Sequence, residues 1–231
     1  SVSVPLNSRG GLAAQGGRHR LRRFHERVVL DADQPLLRLL QRSPGRKHHH
    51  HKNDELTSFP AYAWSKTLAE KELLRYNEQE TRALEVVSLV CGLVGGDTIQ
   101  PYLWSSLPVI VSPLTGSEPH HNSLLFLQAL LGSVPVVHLE DVCEAHAFCM
   151  DQPAMADRFL CAAGDPTMRD IVDRFVAKYP DLKIRLEDVT GEGVRVPVDT
   201  SKLVELGFRY KFGVDETLDC SVECAKRLGE L

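Results

Sequence analysis

Residues 84–96 read LEVVSLVCGLVGG, Leu84 through Gly96. Leu84 to Val90 is apolar and β-branched, with no polar alternation that would give it a wet face. It therefore reads as a buried strand, the kind covered on both sides in a parallel sheet. The glycines that follow, at 92, 95 and 96, turn the chain into a loop at the strand's C-terminal end. In open α/β sheets that end is where ligands bind.

The flanks fit this reading. Upstream, residues 60–80 space apolar positions at helical intervals, with Tyr62, Ala69, Leu73 and Tyr76 near one face. Downstream, Val134 to Leu139 reads as a second strand, followed by a helix from about Glu140 to Met150. Phe159 to Ala162 reads as a third. Thr167-Met168-Arg169-Asp170 is then a capping-box start for a helix that turns Ile171, Val172, Phe175 and Val176 inward. A strand near Leu182 to Leu186, a short helix closed by Gly207 and a last helix from about Asp215 to Leu228 complete the series. Strands alternating with helices predict an α/β architecture.

With 231 residues, 43% of them hydrophobic, the chain can bury one sizeable core, or a core plus a small lobe. Its longest apolar runs, such as Ser133 to Leu139, are far too short to cross a bilayer, so a soluble, cytoplasmic protein without a membrane partner is expected. Cys91, Cys143, Cys149, Cys161, Cys220 and Cys224 form no CxxC pair and sit mostly in apolar stretches. They read as buried reduced thiols, with no metal site.

The net charge of −4 hides an asymmetry, because residues 1–52 carry 11 Lys and Arg against 3 Asp and Glu, or +8, leaving −12 for the rest. That segment has one aromatic residue, Phe24, the glycine pairs at 10–11 and 16–17, and His48 to His51 in a row. So little apolar surface predicts a disordered basic arm over 1–52, ahead of a folded portion over 53–231. The arm has no aromatic interleaving that would mark a nucleic-acid module. Its adjacent histidines impose no coordination geometry. Its Arg, Gly and Pro content is also what GC-rich codons yield when read out of frame.

On the first helix, Ala61 to Lys71 reads AYAWSKTLAEK. Tyr62 and Lys66 stand four apart, one turn along a shared face. A free phenol titrates near pH 10, and a neighbouring ammonium favours the phenolate, so such a pair can hand a proton to a carbonyl oxygen near neutral pH. A bare YxxxK is a weak signal. More often it is a packed Tyr beside a solvated Lys, and the strand and glycine loop that follow are what raise its interest.

The segments YAWSKTLAEKELL, VVSLVCGLVGGD, GSVPVVHLEDVCEAHAFCM, DRFLCAAGDPT and LVELGFRYKFGVDETLD together resemble the C-terminal part of the plant dihydroflavonol 4-reductase-like family. This is a branch of the extended short-chain dehydrogenase/reductases, and GLVGGDT and HLEDVCEAH are most similar to its anthocyanidin reductase and HC-toxin reductase group. The similarity runs in order over about residues 56–231. It implies the C-terminal part of a Rossmann-type parallel sheet with a small α/β substrate lobe. It also implies an NADPH-dependent reductase of a flavonoid-like or other carbonyl substrate, with small molecules and not nucleic acid as partners.

Under this resemblance Tyr62 is the proton donor, and Lys66 binds the nicotinamide ribose and tunes the Tyr. The family's P-T-L-V-x-G-P loop, which lies along the nicotinamide, falls on Cys91, Gly92, Leu93, Val94 and Gly96, with Cys91 and Asp97 where the family has Pro. Ser1 is a weak counterpart of the family's catalytic Ser. Residues 95–131 would form the substrate wall, although Leu103, Trp104, Leu107 and Phe126 read more readily as core. His138 and His146 fit structural roles better than catalytic ones, and Asp141 reads as a helix cap or dipole partner.

The Gly-rich pyrophosphate turn such a reductase needs, G-x-G-x-x-G after a first strand, is not in the sequence. The alternative to an active reductase is therefore a truncated, inactive remnant, expected to fold poorly or aggregate when expressed alone. One synonymous coding of Arg27 to Arg38, shifted by one base, reads ESCWTPTNLSS and resembles the E-S-x-W stretch the family carries before its YxxxK helix. A frame-shifted or mis-spliced arm is the expectation that follows.

Overall fold

The computed structural model describes residues 26–31, 54–79, 84–189 and 195–231. Its first described element is the strand β1, Glu26–Asp31, which falls inside the stretch that composition assigns to a disordered arm. The correction has a local cause: Arg27 to Leu30 is a short β-forming run within an otherwise Arg- and Gly-rich segment. The other residues of 1–52, Ser1 among them, lie outside the described residues apart from this strand.

Helix α1, Asp54–Leu74, continues into a 3-10 turn at Arg75–Glu78. It precedes β2, Leu84–Cys91, whose residues from Glu85 on are all buried. Strand β5, Asp157–Cys161, completes a three-stranded sheet of order β1-β2-β5. Both pairings are parallel, with Val28 opposite Val86 and Leu89 opposite Phe159. β2 thus has a partner along each edge and a cover on each face, as its unbroken apolar run requires. A second parallel pair joins β3, Leu93–Gly95, to β4, Val136–His138.

Short helices α2, Leu107–Ile110, and α3, Ser112–Thr115, lead into α4, Glu118–Leu131. Helix α5, Leu139–Asp151, follows β4 directly. Helix α6, Met168–Lys178, opens on the expected capping box, with Thr167 and Asp170 each satisfying the other's backbone N–H. Helices α7, Ser201–Glu205, and α8, Val214–Arg227, end the series.

Two apolar clusters hold these elements. One gathers Ile110, Leu114, Leu124, Met168, Phe175, Leu218 and their neighbours, and the other gathers Val87, Leu89, Val142, Phe159, Leu203 and Phe208.

Three local expectations are corrected. Leu182 to Leu186 is not a strand: Arg185 and Leu186 both donate their N–H to the Pro113 carbonyl, which anchors an irregular segment on α3. Val176 is 54% exposed, because the α6 face that packs inward is Met168, Ile171, Val172 and Phe175, and Val176 falls beyond its edge. On α1 the inward face runs through Thr67, Glu70 and Leu73, and both Ala69 and Tyr76 are exposed.

Of the cysteines, 91, 149, 161 and 224 are buried, and Cys143 is exposed on α5. Among the described residues no helix is long and apolar enough to cross a membrane, and no cluster of His, Cys, Asp and Glu could hold a metal ion.

Candidate functional site

Helix α1 is fixed to β2 by polar contacts whose order reveals its direction. The Asn77 side chain exchanges two hydrogen bonds with the Val86 backbone, at 2.7 and 2.8 Å. One turn and more upstream, the half-buried Glu70 carboxylate accepts from the Ser88 hydroxyl and from Arg158 Nε on β5. As α1 is read backwards, β2 is read forwards, so the two elements run antiparallel.

From Glu70 back to Tyr62 is eight residues, a rise of about 12 Å. At roughly 3.3 Å per residue, that distance carries β2 from Ser88 to the region of Cys91 and Gly92. The backbone thus brings Tyr62 to the level of the glycine loop and leaves Lys66, which is half-buried, just below it. The side chain of Tyr62 lies outside what the structure describes.

The loop itself is held from three sides. Gly92 donates its N–H to the Cys161 carbonyl at 3.0 Å, and Leu93 donates to the Pro135 carbonyl at 2.7 Å. A Cβ on Gly92 would lie 2.6 Å from that Pro135 oxygen, so only glycine fits. Val94 follows, half-buried against the second apolar cluster. Helix α8 then takes over. The buried Ser221 hydroxyl accepts the Gly96 N–H at 2.9 Å and donates to the Thr217 carbonyl at 2.7 Å. Near the end of α8, Arg227 pairs with Asp97 and donates to the Thr98 carbonyl. The guanidinium beside Asp97 holds its carboxyl below the usual carboxylate range.

His138, at the end of β4, is 4% exposed, and its Nδ1 accepts the Glu140 N–H at 3.2 Å to cap α5. Its ring stacks on Phe212 with centroids 3.8 Å apart. Burial pushes the imidazole pKa down, against the opposing pull of Glu140, Asp141 and Asp97. Asp141 is fully buried and does more than serve the helix dipole. Its carboxylate accepts from the N–H groups of Lys211, at 2.8 Å, and Phe212, at 3.1 Å, and so sets the segment that carries the stacking ring. His146 Nδ1 donates to the Val142 carbonyl one turn back in its own helix, at 2.7 Å.

In the expected substrate wall, Leu107 is buried, and Leu103 and Phe126 pack against the first apolar cluster. Trp104 instead is 60% exposed and sits edge-on to Tyr102. The sequence reading missed Ser221, Arg227 and Phe212. The first two stand on one α8 stripe with Thr217 and Cys224, at spacings of three and four, and that stripe of small and polar residues was the available signal.

A parallel sheet with a glycine loop at its C-terminal end and a YxxxK helix running alongside defines a Rossmann-type α/β fold. The comparisons make the class more specific. No family model matches the chain. Over 74% of its length it is homologous to the dihydroflavonol 4-reductase-like reductases, and its relatives include anthocyanidin reductases and dihydroflavonol 4-reductases. A putative anthocyanidin reductase of Ginkgo biloba is 32% identical over 173 residues, 74% of this chain and 50% of the relative. The chain thus spans about half the length of the curated relatives it matches.

Among solved structures, vestitone reductase from alfalfa superposes with a TM-score of 0.61 at 28% identity, over 74% of this chain and 53% of that one. Gre2 from Candida albicans, solved with NADPH, superposes with a TM-score of 0.60 at 21% identity, over 88% and 64% respectively, and shares the fold.

Proposed function

We propose that the chain carries the proton-donor helix and the nicotinamide-side loop of an NADPH-dependent reductase acting on a flavonoid-like or other carbonyl substrate. The observation that supports this reading is the antiparallel register of α1 on β2, by which the helix backbone at Tyr62 lies level with the start of the Cys91–Gly96 loop and Lys66 just below it. The homology to anthocyanidin and dihydroflavonol reductases supports the substrate class.

Gly92, Gly95 and Gly96 let the loop close on Pro135, on α8 and on the His138 ring, and so fix the shape of the backbone that would lie along the nicotinamide. Leu93 and Val94 would flank the ring, and Cys91 and Gly92 would set the loop's start. When bound, the cofactor supplies a hydride to the substrate carbon. Tyr62 gives its phenolic proton to the oxygen of the same carbonyl, and water returns a proton to the tyrosinate. The Lys66 ammonium favours that tyrosinate and holds the ribose hydroxyls.

The test is reduction of a dihydroflavonol or an anthocyanidin, followed by loss of reduced-nicotinamide absorbance. Tyr62→Phe is expected to lower kcat by about 10²- to 10⁴-fold with little change in NADPH affinity. Full activity in Tyr62→Phe refutes the assignment. Failure of the unaltered protein to bind NADPH favours the inactive remnant.

A further inference from the structure

His138 is held in one orientation on every side but one. Its Nδ1 accepts from the Glu140 N–H, so in the neutral ring Nε2 carries the proton. Phe212 covers one face of the ring. Gly96 covers the other. An ideal Cβ on Gly96 would lie 2.6 Å from Nε2 and 2.9 and 3.0 Å from its two ring neighbours, distances that place it above the ring and not in line with the N–H. No Phe212 atom is among the nearest to that point, so the glycine and the phenyl lie on opposite faces.

The remaining edge, Nε2–H, has no hydrogen-bond partner among the described residues. Two buried side-chain atoms, His121 Nδ1 and Ser133 Oγ, lack partners while sealed from solvent, and His138 Nε2 is not one of them. A donor that is unpaired yet reachable, in a residue 96% buried, stands beside the loop that carries the candidate site.

A side chain needed only to cap α5 would not require this arrangement. Asp caps a helix well and leaves no second donor to satisfy. The left-handed Gly96, with φ of +108°, is what allows the loop to close on the ring face without blocking its edge.

We infer that His138 Nε2–H is a ligand-binding donor, directed at an uncharged oxygen acceptor of the molecule held by the Gly95–Gly96 end of the loop. The inference rests on the reductase reading above. An amide oxygen of a nicotinamide and a hydroxyl or keto oxygen of a flavonoid offer the same chemistry, and the experiment separates them.

Two variants divide the two functions of the ring. His138→Asn keeps an acceptor where Nδ1 stands and removes the distal donor. His138→Gln carries an amide N–H out to the Nε2 position and loses the cap. NADPH and dihydroquercetin are each titrated against the parent and both variants, with thermal melts in parallel. The expected result is that His138→Asn, which keeps the cap and loses the stack on Phe212, melts below the parent and above His138→Gln, and binds one of the two ligands about tenfold more weakly, the loss of one hydrogen bond. His138→Gln should recover part of that affinity.

Weakening for NADPH assigns the acceptor to the cofactor, and weakening for dihydroquercetin assigns it to the substrate. Unchanged affinity of His138→Asn for both, with the parent binding NADPH, overturns this inference alone. A parent that does not bind NADPH overturns the reductase reading and this inference with it. In the parent, the ¹⁵N resonance of Nε2 should shift on adding the ligand that His138 contacts, and a resonance unmoved by both ligands also overturns the assignment.

Discussion

Gly95→Ala tests whether α8 sets the shape of the loop. An added Cβ would stand 2.6 Å from Thr217 Cγ2, 2.8 Å from Ser221 Oγ and 3.2 Å from Ile110 Cδ1. Carbon pairs rest at about 3.5–4.0 Å, so α8 must retreat by about 1 Å or Thr217 must leave its rotamer. Such overpacking costs about 1–3 kcal/mol. A retreat would also stretch the Gly96 N–H to Ser221 hydrogen bond, another loss of about 1 kcal/mol. The unfolded chain's lost freedom returns roughly 0.4–1 kcal/mol.

The net destabilisation is therefore about 1–3 kcal/mol. At about 2–4 °C per kcal/mol for a chain of this size, Tm should fall by about 2–12 °C in a circular-dichroism melt. Thr217→Ser removes the methyl group in the worst clash and keeps the hydroxyl, so the double variant should recover a measurable part of the loss. The coupling in the cycle should exceed about 0.5 kcal/mol. Gly95→Ala melting within about 1 °C of the parent, or the two changes simply adding, would refute the packing described.

Asp141→Ala leaves the N–H groups of Lys211 and Phe212 without their buried acceptor and should cost about 2–4 kcal/mol in urea unfolding; a loss below about 1 kcal/mol would show that the segment is held by other contacts. The His138 imidazole is held neutral by burial, so its contribution to stability is complete above its ordinary pKa near 6.5 and declines as the pH falls toward the lower folded value. The urea midpoint of the parent should therefore drop between neutral and mildly acidic pH more steeply than that of His138→Asn, and parallel profiles would contradict this.

What the sequence made legible is what local chemistry decides. LEVVSLV has no polar face to offer water, so β2 could only be a covered strand. Thr167 and Asp170 form their capping box within four residues, and α6 starts where they place it. Leu182 to Leu186 misled because its alternating pattern suits a strand, while Leu182 turns back on the Tyr179 carbonyl and Arg185 and Leu186 share one carbonyl on α3. The Arg27 to Leu30 run was overlooked because the charge of its surroundings outweighed four residues of β propensity.

The site divides along the same line. The Tyr62–Lys66 spacing and the glycine loop are local and could be read directly. Ser221, Arg227 and the Phe212–His138 stack depend on contacts between distant segments, and no window of sequence contains both partners. The role of Asp141 was half legible: its place in the first turn of α5 suggested a dipole partner, but its acceptors' donors lie some 70 residues on.

The hydrogen bond from Gly96 to Ser221 spans 125 positions. During synthesis, the strands that flank the loop emerge long before the helix that gives the loop its final form. Closing so long a stretch of chain is slow, and the loop's bare backbone waits without its partner meanwhile. A nonsense mutation just ahead of α8 would remove the Ser221 acceptor of the Gly96 N–H together with Leu218 and Val222 of the first apolar cluster, a lesion in the site caused by a change well over a hundred codons downstream.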